Sequence, residues 1–169
     1  MAAFNFASTR VLVVGAKGQA GPMMRTVLTA AGLSKVVLID EPRRALEMLC
    51  ADPFDAVFVE AAAQLDDVSF ALAVRRSSQA LNPMVPIFAV YSGARRRDVE
   101  RERDDGITDV ICRPVSPKTI ADKLRLALSA PRPFIRSFFT DSSKTSTRDW
   151  CATRIQCSTF RHDWRAAPG

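Results

Sequence analysis

The side chains able to do chemistry stand at the ends of short apolar runs. Glu60 closes the run Phe54-Asp-Ala-Val-Phe-Val-Glu60, and Arg113 follows Asp109-Val-Ile-Cys112 and precedes Pro114. A carboxylate facing a guanidinium can form a bidentate, charge-assisted pair, with a planar fork more rigid than a lysine ammonium. Tyr91 and Ser92 close a third run, Pro86 to Tyr91, and offer a phenol and a hydroxyl. Gly15 and Ala16, which follow Arg10-Val-Leu-Val-Val14, offer no side-chain oxygen at all. A second chemistry is written in Gly15-x-x-Gly18-x-x-Gly21, followed by Asp40 at the end of the next apolar run. Glycines in that setting let a pyrophosphate approach a helix N-terminus, while the acid takes ribose hydroxyls.

The runs themselves must position these residues. Arg10–Gly15, Lys35–Asp40, Phe54–Glu60, Pro86–Tyr91 and Asp109–Cys112 read as strands, the first two as fully buried ones. Between them lie helical patterns. Pro22 opens one in which Met24, Val27, Leu28 and Ala31 share a face and Gly32 closes the helix. Pro42 opens another, with Leu46, Leu49 and Cys50 inward, and Val68, Ala71 and Leu72 mark a third. Residues 94–105 read as a charged helix ended by Gly106, with Val99 its only apolar side chain from Arg95 onward. Its pairs Arg96/Glu100 and Arg101/Asp105 sit at i, i+4. Ser116 caps a last helix that begins at Pro117 and turns Ile120, Leu124 and Leu128 inward.

Near-continuous apolar strands alternating with helices indicate a parallel sheet covered on both faces. Right-handed crossovers leave an α/β, flavodoxin-like doubly wound five-stranded sheet as the natural solution. Function in such a fold sits at the carboxyl ends of the strands, where Gly15-Ala16, Asp40, Glu60, Tyr91-Ser92 and Arg113-Pro114 all fall. The chain divides into an N-terminal extension 1–9, a domain 10–130 and a basic, Ser/Thr-rich tail 131–169.

Over residues 10 to about 130 the chain resembles the receiver domains of response regulators, the CheY-like family. Phe54–Glu60 is similar to the family's third strand, which ends in the phosphoaccepting aspartate. Pro86–Ser92 is similar to its fourth, which ends in Thr or Ser. Cys112-Arg113-Pro114 followed by Ser116-Pro117 resembles its Lys-Pro turn and last helix. The tail begins Pro131-Arg-Pro-Phe134, as in a subgroup of receiver proteins. On this resemblance the phosphoacceptor position falls on Glu60 and the acidic pair on Gly15 and Ala16. The switch hydroxyl falls on Tyr91 with Ser92 beside it, the lysine on Arg113 before Pro114, and the strand-five aromatic on Val110. Phosphoryl transfer to a carboxylate relies on a magnesium ion held by oxygen ligands, and two glycine- or alanine-type positions supply none. The resemblance therefore implies a degenerate pseudo-receiver of two-component phosphorelay signalling. Such a protein uses no cofactor, metal or catalysis and acts through a protein partner. Gly15 and Ala16 are expected to leave the mouth open to water, Tyr91 to fill a former cavity, and Glu60 to pair with Arg113. The charged helix is expected to sit loosely on the sheet.

The alternative is an NAD(P)-binding Rossmann-type protein built on Gly15, Gly18, Gly21 and Asp40, whose spacing resembles short-chain dehydrogenases. That family's Tyr-x-x-x-Lys pair is not matched, since Tyr91 is followed four residues on by Arg95. Five strands also fall short of two mononucleotide-binding halves. In the tail, Cys151, Cys157 and His162 lack the four ligands and the tight Cys pair of a structural zinc site. The net charge of +6 is concentrated in residues 131–169, leaving no basic face on the domain for nucleic acid. The tail is expected to stay disordered, for want of apolar periodicity. No apolar stretch is long enough to span a membrane, and a cytoplasmic location is expected by default.

Overall fold

The computed structural model describes residues 6–61, 63–93 and 96–130, with the side chain of Arg96 left aside. The expected tail and its Cys151, Cys157 and His162 lie outside the described residues, as does most of the 1–9 extension.

The elements run β1 (Arg10–Val14), α1 (Ala20–Ala30), β2 (Lys35–Ile39), α2 (Pro42–Ala51), β3 (Ala56–Glu60), β4 (Gln64–Leu65), β5 (Val68–Ser69), α3 (Phe70–Arg76), β6 (Ile87–Tyr91), α4 (Arg96–Asp104), β7 (Asp109–Cys112) and α5 (Pro117–Ser129). The five long strands form one parallel sheet in the order β2-β1-β3-β6-β7. This is the flavodoxin-like doubly wound order, whose switch point lies between β1 and β3.

Strand periodicity sorts the apolar side chains into two cores. Val11, Val13, Ala56, Phe58, Phe88 and Val90 point to the face covered by α1 and α5, meeting Met24, Leu28, Ile120 and Leu124. Leu12, Val14, Val57, Val59, Ile87 and Ala89 point the other way, onto Ala45 and Leu49 of α2 and Phe70, Ala71 and Val74 of α3. Phe58 and Phe88 are register partners, and their rings stack with centroids 5.0 Å apart. Burying one such side chain contributes about 1.5–3 kcal/mol, so the two cores carry the fold. Phe6, from the segment before β1, is also buried in the first core.

Local signals set the helix ends. At the end of α1, Gly32 takes φ +97° and Leu33 N–H donates to Leu28 O at 3.1 Å, a Schellman closure. Ser116 Oγ accepts from Thr119 N–H at 3.0 Å at the start of α5.

Three expectations are corrected here. β2 is half-buried rather than fully buried, because it is the sheet's edge strand. Val68 does not begin a helix: Gln64–Leu65 and Val68–Ser69 form an antiparallel hairpin around Asp66 and Asp67, and the helix starts at Phe70 with Ser69 as its cap. Both turn residues have positive φ, 49° and 64°, as a type I′ turn requires. On α4, Arg101 and Asp105 do not pair within salt-bridge distance, while Arg97 lies 3.8 Å from Asp98; the expected Arg96/Glu100 pair falls on a side chain outside those described.

Candidate functional site

Because the strands are parallel, β1, β3, β6 and β7 end on one rim. Glu60 is the last residue of β3, opposite Val90 of β6. Cys112 of β7 pairs with Tyr91, and Arg113 N–H donates to Tyr91 O at 2.8 Å. This anchors the backbone of Arg113 beside the end of β6, and its side chain reaches across to Glu60. Arg113 Nη2 donates to Glu60 Oε1 in an ion pair. The other terminal nitrogen turns to Ser92 Oγ at 3.4 Å, so the contact is a single hydrogen bond rather than the two-pronged fork. The side chains of Arg113 and Glu60 are 26% and 18% exposed. The peptide before Pro114 is cis.

At position 15 the mouth is more closed than the sequence leads one to expect. Ala16 is buried, at 4% exposed. Gly15 has φ +75°, and a Cβ placed there would stand 3.0 Å from the Cβ of Ala63 and 3.7 Å from that of Glu60. Ala63 N–H donates to Glu60 O at 2.8 Å, and Ala63 O accepts from Phe70 N–H at 3.3 Å. The chain after β3 thus folds back over position 15 and occupies the space a longer side chain would need.

Tyr91 does more than fill space. Its ring packs against the second core, and its hydroxyl donates to Glu102 Oε1 of α4 at 2.7 Å. Glu102, at 9% exposed, and Thr9 are the buried polar residues among those described. Burial pushes the Tyr91 phenol well above its ordinary range, and the Glu102 hydrogen bond and charge add to the shift. Burial likewise raises the Glu102 carboxyl; the Tyr91 hydrogen bond and Arg101 oppose the rise, while Asp105 and Asp98 add to it. Sequence inspection missed this contact, although a signal existed: a helix lacking an apolar face needs some other anchor, and position 102 shares the Val99 face.

The glycines and Asp40 of the alternative reading come together elsewhere on the rim. Gly18, Gly21, Asp40, Glu41 and Arg44 line an open cleft of about 470 Å³ between the ends of β1 and β2. A Cβ at Gly21 would lie 2.9 Å from Ala16 O, so that glycine serves close packing of α1 on the turn. The cleft does not include Glu60 or Arg113.

This arrangement of strands and helices is the receiver-domain fold of the CheY-like response regulators. The chemotaxis response regulator CheY4 of Vibrio cholerae has 22% identity, a TM-score of 0.57, and a match covering 69% of this chain and 96% of its own. A putative response regulator from Chloroflexus aurantiacus gives 17% identity and TM-score 0.62 over 73% of this chain and all of the other. The receiver domain of the sensor histidine kinase PA1611 from Pseudomonas aeruginosa, solved with magnesium in its active-site cleft, gives 18% identity and TM-score 0.61 over 73% and 100%. No family model matches the sequence. No curated protein matches it either.

A magnesium site of the kind present in that last structure does not fit the residues here. Gly15 and Ala16 have no oxygen-bearing side chain, Ala63 crowds position 15, and Glu60 is engaged by a guanidinium. Hard cations of this size need oxygen ligands in near-octahedral array, and the described residues contain no group of three acidic, His or Cys side chains able to hold a metal. No helix among the described residues is long and apolar enough to cross a membrane.

Proposed function

We propose that this chain is a receiver-type signalling module of two-component phosphorelay systems that is not phosphorylated and acts through contact with a protein partner. The observation that carries this reading is the Glu60–Arg113 ion pair, set where the resemblance puts phosphoacceptor and lysine. The guanidinium closes directly onto the Glu60 carboxylate and holds the β7 end in one state. The protein then behaves as a constant input, its signal set by abundance and partner binding rather than by phosphorylation. It uses no cofactor and catalyses nothing, and its place of action is the cytoplasm.

A test is intact-mass spectrometry of the full chain after incubation with magnesium and a small phosphodonor such as acetyl phosphate. The expected result is no change in mass. Stoichiometric gain of one phosphoryl group at Glu60 or Ser92 would overturn the reading.

The cleft holding Gly18, Gly21 and Asp40 favours a second reading, nucleotide binding. Asp40 there is the acid that reading assigns to ribose hydroxyls, and Glu41 and Arg44 line the same cleft with opposite charges. Calorimetric titration with NAD(H) and NADP(H) is expected to show no saturable binding; micromolar binding lost in Gly18→Glu would establish this second reading instead.

A further inference from the structure

Helix α4 differs from the other four in how it meets the sheet. α1, α2, α3 and α5 each insert at least two buried apolar side chains, among them Met24 and Leu28, Ala45 and Leu49, Phe70 and Val74, Ile120 and Leu124. On α4, Val99 is only half-buried, and among the described side chains the buried one is Glu102, largely but not wholly shielded from water. That carboxylate ends 2.7 Å from the Tyr91 hydroxyl. A helix polar nearly all round gains little by burial, so its attachment depends on this hydrogen bond more than on packing. The chain beyond α4 is firmly held: Ile107 is buried in the second core, and Arg75 Nε donates to Gly106 O at 3.0 Å.

We propose that α4 is a releasable helix, and that the Tyr91–Glu102 hydrogen bond is the latch that docks it, with Gly106 as the point about which it swings free. This inference does not depend on the receiver reading. A helix whose docking turns mainly on one buried polar contact has two states, since a buried carboxylate without its donor is disfavoured and prefers to leave for water. Tyr91 also belongs to the rim: its carbonyl accepts from Arg113 N–H at 2.8 Å. The latch is therefore one residue's length from the Glu60–Arg113 pair, and its state is available to any partner that touches α4.

Hydrogen–deuterium exchange on the full-length chain, read by mass spectrometry, tests this. In Tyr91→Phe and in Glu102→Ala, exchange across residues 96–105 is expected to accelerate about ten- to a hundred-fold, the range set by a hydrogen bond to a charged group. Peptides from β3 and α5 should be unchanged. The double variant should exchange no faster than the single ones. Glu102→Leu should do the opposite and slow exchange in α4, by replacing the latch with an apolar anchor. Unchanged α4 exchange in both single variants, equal acceleration throughout the chain, or a parent protein whose α4 already exchanges as fast as unstructured peptide would each overturn the proposal.

Discussion

Glu60 and Arg113 leave 18% and 26% of their side chains in solvent, which sets their interaction between two regimes. Exposed ion pairs are worth about 0–1 kcal/mol, and hydrogen bonds to charged groups in drier surroundings about 1.5–3 kcal/mol. With Ala63 closing one side of the mouth, we expect a coupling energy of about 1–2 kcal/mol. A double-mutant cycle with Glu60→Gln and Arg113→Met, followed by urea unfolding, measures it. A coupling near zero would leave the two charges independent and remove the basis for a fixed state. That these two residues meet was legible from the sequence, because each closes an apolar run and parallel strands must end together. The solvent they meet in was not legible: Ala63 shields the mouth, and a small residue in a loop leaves no mark on periodicity. Tyr91 and Glu102 were opaque for a related reason. Spacing rules pair residues within one helix, and their contact crosses from a strand end to a helix.

The β4–β5 hairpin is the element with no counterpart in the sequence reading. Val68, Ala71 and Leu72 fit a helical face, and a two-residue turn of Asp66 and Asp67 is weaker as a signal than Asn-Gly. The hairpin returns the chain through Ala63 and rests on α2, where Arg43 Nη2 meets Asp66 Oδ1 at 3.2 Å. Asp67 holds φ 64° at the second position of the turn, so relieving its backbone is expected to stabilise the protein. Asp67→Gly should raise stability by about 0.5–1 kcal/mol in thermal or urea unfolding; a loss instead would show that the Asp67 side chain supports the turn. The long strands were legible because apolar runs of four to six residues between glycines and prolines have few other uses. Their rank in the sheet was not. Lys35–Ile39 is as apolar as a central strand and stands at the edge, where strand order, not composition, decides burial.

At the scale of the whole molecule, residues 6–128 supply every side chain of the two apolar cores among the described residues. Because the five-stranded sheet already has an apolar core closed by helices on each face, a chain ending at residue 133 is expected to unfold cooperatively within a few degrees of the full chain, as seen by calorimetry; collapse of that transition would place part of 134–169 in the fold. The rim has a further bearing on what this protein can become. Position 15 lies in a left-handed turn with Ala63 pressed against it, so an acid introduced there alone meets both backbone strain and a collision. Glu60 stays committed to Arg113 until one of them changes, and removing Arg113 alone leaves a half-shielded carboxylate without its partner. Each single step toward a metal-binding mouth thus costs stability before any later step can help. The loop through Ala63 guards the rim against gaining such a site by one substitution at a time.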